Sequence, residues 1–148
     1  MADALRDLDT GLLNDDYFRA SLPNRVATAR RVLRPISVAV LAVDAEETSP
    51  AVAYALLDTL RDSDTACRLD DGRFALLLED TPEDGAVWTL QRLRQLLAGQ
   101  GVAVNLWGGV ASYPAHALEP ADLLALAEAA LTSARRWDDG RIEVAPQP

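Results

Sequence analysis

Along this chain, stretches with apolar residues at helical spacing alternate with short stretches in which apolar residues run together. A first helix is expected from Asn14, whose side chain suits the N-cap, with Asp15 and Asp16 favouring the positive end of the helix dipole. Pro23 is expected to kink or restart that helix, and Pro35 to end it. The run from Ile36 to Val43 is continuous, apolar and rich in β-branched residues, as in a central strand covered on both faces. A second helix is expected at Ser49-Pro50, the Ser as cap and the Pro at the first helical position, with Val52, Ala53, Leu56, Leu57 and Leu60 inward. Ala66 to Leu69 and Phe74 to Leu78 read as two strands joined by Asp70-Asp71-Gly72-Arg73. Asp-Gly is a hairpin signal because both residues tolerate positive φ.

A third helix is expected with Thr81 as cap, Pro82 first, Val87, Leu90, Leu93 and Leu97 buried, and Gly99 at its end. Val102 to Ala111 predicts a strand in which Gly108-Gly109 marks a bulge. Pro120 to about Arg136 predicts a fourth helix packing through Leu123, Leu124, Ala127, Leu131 and Ala134, and Arg141 to Val144 a last short strand. The order α-β-α-β-β-α-β-α-β is an α/β (α+β) arrangement: a mixed sheet of about five strands containing a hairpin, flanked by helices. One domain over residues 1–148 is expected, with an ordered core of about 7–144 and a loose tail at Ala145-Pro146-Gln147-Pro148.

Composition narrows the function. Fourteen basic residues against 23 acidic ones give a net charge of −9, which disfavours nucleic acid and anionic membrane as partners. No apolar run is long enough to cross a bilayer. The lone cysteine, Cys67, permits no intrachain disulfide and points to the cytoplasm. His116, the only histidine, is expected to be a plain surface residue, so no metal centre and no cofactor is expected. Of the three tryptophans, Trp88 and Trp107 are expected in the core and Trp137 at the surface.

Five pieces of sequence resemble, in order, the GGDEF (diguanylate cyclase) family. Asp7-Leu8-Asp9-Thr10-Gly11-Leu12-Leu13-Asn14 is similar to that family's opening D-x-L-T-G-L-x-N. Arg34-Pro35-Ile36-Ser37 leading to Val43-Asp44 resembles the entry to its first metal-binding strand. The segment from Arg61 to Phe74 resembles R-x-x-D-x-x-x-R-x-G-G-D-E-F. Gly109 to Pro114, and the helix through Ala127, Ala130-Leu131 and Ala134-Arg135, resemble the C-terminal third. The resemblance implies the family's palm-like fold over about Asp7 to Val144.

It also implies a degenerate member with no catalytic residues. Asp70 and Asp71 stand where the family has two glycines that let the nucleotide approach, and each adds bulk and negative charge. Gly72 and Arg73 stand where it has two acids, and Phe74 keeps the last position of the signature. Ala42 aligns with the other metal-binding acid, leaving Asp44 alone. The connection from Asp44 to Val52 is shorter than the family's by roughly a dozen residues. Phosphoryl transfer depends on metal and positioning, so little chemistry is expected to survive.

What the resemblance leaves is Arg61-x-x-Asp64, placed like the family's inhibitory site for cyclic di-GMP. A guanidinium can grip phosphate and a carboxylate can accept from a guanine edge, with Arg68 as a further phosphate contact. The plainer account of the pair is helix-end compensation and turn formation. Three functions follow: a non-catalytic cyclic di-GMP receptor or regulatory module; a ligand-free module that binds a protein partner or its own copy, as the output end of a larger signalling protein; and, least favoured, a cyclase with an unusual site.

Overall fold

The structure is a computed structural model and describes residues 2–148. Among these residues the elements are β1 (Leu13–Asn14), α1 (Asp15–Val32), β2 (Ile36–Val43), α2 (Ser49–Thr59), β3 (Thr65–Arg68), β4 (Phe74–Glu79), α3 (Glu83–Gly99), β5 (Leu106–Tyr113), α4 (Pro120–Ala134) and β6 (Ile142–Val144). Six strands form one mixed sheet in the order β1-β3-β4-β2-β5-β6. The strand beyond the expected five is β1, two residues that pair in parallel with β3. None of the described helices is long and apolar enough to cross a membrane.

The central strand is β2, antiparallel to β4 on one side and β5 on the other. Its apolar run is explained by cover on both faces. Val38, Val40 and Ala42 join Phe18, Leu22 and Val26 of α1 and Leu123, Ala127 and Leu131 of α4 in one core layer. Ala39 and Leu41 point the other way, into a layer with Val52 and Leu56 of α2 and Leu90 and Leu93 of α3. Burying successive residues on opposite faces is what the two-residue period of a strand produces.

The first helix behaves as expected at both ends but not at Pro23. Asn14 caps it by accepting the Tyr17 N–H at 3.0 Å, and Leu33, in the left-handed region at φ 57°, closes it. Pro23 lies inside an unbroken helix, held there by Phe18, Leu22 and Val26 on the buried face.

Several local expectations are corrected. Ser49 is the first residue of α2 rather than its cap, and Leu57 faces solvent because Val52, Ala53 and Leu56 already fill the inward face. Thr81 does not cap α3, which starts at Glu83 after Pro82. The buried stripe of α3 is Ala86, Leu90, Leu93 and Leu97, which leaves Val87 half-buried and Trp88 63% exposed. Trp107 is buried and Trp137 is exposed.

β5 begins at Leu106, four residues late, and contains no bulge. Its pairing with β2 is continuous from Ile36 opposite Tyr113 to Val43 opposite Leu106. Gly109 instead permits close approach: a Cβ there would lie 2.1 Å from the Ala127 carbonyl oxygen of α4. His116 is a buried residue, not a surface one. Its Nδ1 accepts the Ser112 N–H at 2.8 Å, and its Nε2 lies 3.1 Å from the Glu83 carboxylate but out of line for a hydrogen bond. In the tail, Ala145 is buried, its N–H bonded to the Val110 carbonyl at 2.8 Å.

Candidate functional site

Two clusters of charged side chains lie at opposite ends of β3. The first sits where α2 ends and β3 begins. Asp64, only 5% exposed, accepts the backbone N–H of Arg61 at 3.1 Å and that of Glu79 at 3.2 Å. The Arg61 guanidinium folds back onto the same carboxylate, Nε at 3.3 Å and Nη2 at 3.2 Å. That Nη2 also donates to the Glu79 carbonyl and to Thr81 Oγ1. Hydrogen bonding to Asp64 raises the Arg61 pKa further, so the group is a permanent cation. The side chain of Arg61 nonetheless remains 55% exposed.

The second cluster surrounds the β3–β4 hairpin. Leu69 and Arg73 close the turn through a 2.8 Å bond from the Leu69 N–H to the Arg73 carbonyl. Only Gly72 takes positive φ, at 91°; Asp70 and Asp71 hold the turn by other means. Asp70 donates its N–H to Asp15 on α1 at 3.0 Å. Burial alone would raise the Asp15 carboxyl, but Arg19 and the Asp70 N–H bring it below its usual value. Asp71 accepts both the N–H and Nε of Arg73, at 3.1 and 2.7 Å, and Arg73 Nη1 reaches Glu128 of α4 at 3.1 Å.

Arg68 does not join Arg61 and Asp64. Four residues of strand separate Asp64 from Arg68, about 13 Å at ordinary strand rise. Arg68 lies nearly buried over the Phe74 ring, its Nε donating to the Gly72 carbonyl at 2.9 Å and its Nη1 3.2 Å from Asp9. Asp7 and Glu46 stand 3.8 Å away. Phe74 itself is wholly buried in the core. The open cleft beside Arg68, about 610 Å³, is lined by Asp7, Asp9, Glu46, Asp70 and Asp71 against Arg6 and Arg68, a net acidic surface that disfavours phosphates.

At the end of β2, Ala42 has no donor atom, and Asp44 is engaged. Asp44 accepts the Asn105 N–H and side-chain amide, both at 2.9 Å, and the backbone bond, then the amide, lowers its pKa. Among the described residues no three His, Cys, Asp or Glu side chains converge as a metal cage requires. The family resemblance singled out Arg61 and Asp64, and the structure brings the two side chains together. The resemblance gave no sign of Thr81, Glu46 or Glu128, whose roles depend on tertiary packing.

The fold and this hairpin define a class. The family model described as diguanylate cyclase, GGDEF domain, matches residues 50–141, and the chain belongs to the GGDEF family. It is 26% identical to the diguanylate cyclase DosC of Escherichia coli K12 over 93% of this chain and 34% of that protein. It is 30% identical to the diguanylate cyclase TpbB of Pseudomonas aeruginosa over 81% of this chain and 35% of that protein. The chain thus spans about a third of the length of the curated relatives it matches. The structure of a truncated TpbB comprising only the GGDEF domain superposes with a TM-score of 0.85 at 25% identity, covering 95% of this chain and 94% of that one. The GGDEF domain of DgcB from Caulobacter crescentus, in complex with c-di-GMP, shares the fold with a TM-score of 0.87 at 20% identity, covering 98% of this chain and 95% of that one.

Proposed function

We propose that this domain is a catalytically inactive GGDEF module of bacterial cyclic di-GMP signalling, a receptor whose ligand contacts run through Arg61 and Asp64. The observation that carries it is the contrast between the two clusters. In the signature hairpin the guanidinium of Arg73 stands in an acid's place and is neutralised by Asp71 and Glu128. At the other end Arg61 is held in place with more than half its side chain open to solvent.

The residues at the hairpin do not fit a divalent cation. Mg²⁺ needs oxygen donors in a near-octahedral shell. Ala42 and Gly72 supply no side-chain oxygen, Arg73 supplies a competing cation, and both Asp44 oxygens bind Asn105. The connection after β2 is also short, a single 3₁₀ turn at Glu46–Thr48 before α2. The alignment to DosC extends over 159 residues, more than the 148 of this chain, so the relative carries residues that have no counterpart here.

Arg61 offers its outward edge to a phosphate. Asp64 backs that edge, its carboxylate bonded to Nε and Nη2 of Arg61, so the pair meets the ligand as a unit. The net charge of −9 leaves little non-specific anion affinity, so binding depends on this pair. The reading places the domain in the cytoplasm, where Cys67 remains reduced. Calorimetric titration with cyclic di-GMP tests it: saturable heat is expected, and Arg61→Ala weakens it roughly ten- to a hundredfold. No heat at high micromolar ligand sinks the receptor and leaves the protein-interaction module. The exposed Trp88, Tyr54 and Leu57 side chains favour that second reading.

A further inference from the structure

Thr81 stands just before α3, where a hydroxyl ordinarily caps the first turn, yet its side chain makes no bond to that helix. The hydroxyl is turned toward Arg61 instead. It accepts Arg61 Nη2 at 2.8 Å and donates its own proton to the Glu79 carbonyl at 2.8 Å. Thr81 itself is buried.

Its backbone is fixed from the far side by an unusual core feature. Ser37 of β2 and Ser112 of β5 face each other across the sheet, both buried, with their hydroxyl oxygens 2.7 Å apart. Ser37 Oγ donates to the Thr81 carbonyl at 2.7 Å, which leaves Ser112 as the donor to Ser37. Two hydroxyls in the interior of a sheet cost stability unless each is bonded. Here they are, and they fix the backbone of the residue whose hydroxyl meets the guanidinium.

We infer that Thr81, backed by the Ser37–Ser112 pair, is a positioning residue that presets Arg61 for its ligand. This rests on the receptor reading of Arg61. A half-exposed arginine has many rotamers to lose on binding. Asp64 holds both Nε and Nη2, and Thr81 holds Nη2 from its other side, so the guanidinium plane is set before ligand arrives. Affinity is gained by reducing what must be ordered at the moment of binding.

The test is a titration of cyclic di-GMP into wild type, Thr81→Val and Thr81→Ser, with melting curves for each. Thr81→Val, which keeps the shape and removes the hydroxyl, is expected to bind about three- to tenfold more weakly. Thr81→Ser, which restores the hydroxyl, is expected to recover most of that loss, a rescue that packing alone would not produce. Equal affinity of Thr81→Val and wild type, or equal weakness of the Val and Ser variants, overturns the inference. Should Thr81→Val not fold, Ser37→Ala is expected to weaken binding in the same direction, and an unchanged affinity there overturns it equally. Proton exchange at Arg61 Nε, followed by NMR without ligand, separates the two layers. Faster exchange in Thr81→Val supports positioning even if the wild type binds nothing, in which case the receptor reading alone falls; unchanged exchange overturns positioning.

Discussion

The carboxylate of Asp64 takes the backbone N–H of Glu79 at 3.2 Å, joining the entry of β3 to the exit of β4. Asp64 is therefore part of the hairpin frame as well as a partner of Arg61. Asp64→Ala strands the Glu79 N–H and the Arg61 N–H, and each unsatisfied donor costs about 1–3 kcal/mol where water cannot replace the acceptor. The variant is expected to unfold at clearly lower denaturant, whereas Arg61→Ala should keep a near-normal midpoint. Urea titrations of the two variants decide this; equal midpoints would remove Asp64 from the frame.

Turnover is expected to be absent. With GTP and either Mg²⁺ or Mn²⁺, no cyclic di-GMP should appear above a no-enzyme control. Restoring glycines at 70 and 71 and acids at 72 and 73 should not recover it, because Ala42 and the short connection after β2 remain. Product detected by chromatography from the wild-type chain would refute the inactive assignment.

The layered core was legible because it obeys simple periods. The run from Ile36 to Val43 is apolar on both faces, and β2 is covered on both. The Asp-Gly turn was legible for a partly different reason than expected, since Gly72 alone takes positive φ. Trp88 was misplaced because size suggested burial, while the small Ala86 sets the inward face of α3. His116 was expected at the surface because it sits in a Pro114-Ala115-His116 loop, yet its ring is turned inward, where Nδ1 accepts the Ser112 N–H at 2.8 Å. The charged sites divide the same way. Arg61 and Asp64 are three residues apart, but the partner of Arg68 is Asp9, 59 residues away in sequence.

Acid should expose the role of Asp44. The Asn105 N–H, and then its side-chain amide, hold the Asp44 carboxyl below the ordinary aspartate value. A carboxyl depressed in the fold contributes stability that is fully present above the unfolded value of about 4. That contribution is lost as pH falls through the lower folded value. Asp44→Asn should melt below wild type at pH 7, with the gap narrowing as the pH drops under about 4. A gap that stays constant from pH 7 to strong acid would show that the ionised carboxylate is not what matters.

Gly108 and Gly109 look alike in sequence but are expected to respond differently to alanine. At Gly108 a new Cβ meets the ends of two leucine side chains, Leu41 Cδ2 and Leu90 Cδ1, both at 3.1 Å, and those can shift by a few tenths of an ångström. At Gly109 it meets backbone: the Ala127 carbonyl oxygen at 2.1 Å and the Leu131 nitrogen at 2.3 Å. A helix backbone cannot rotate aside, so α4 must lift from β5. Overpacking that forces a backbone shift costs about 1–3 kcal/mol or more, and a contact that flexible side chains can relieve costs less. The effect should reach the hairpin, since Glu128 follows Ala127 on α4 and holds Arg73 at 3.1 Å. Gly109→Ala is therefore expected to lower the urea midpoint well below that of Gly108→Ala, and to increase proteolytic cleavage at the Asp70–Arg73 turn. Equal midpoints for the two variants would mean that α4 does not rest on β5 as closely as the structure places it.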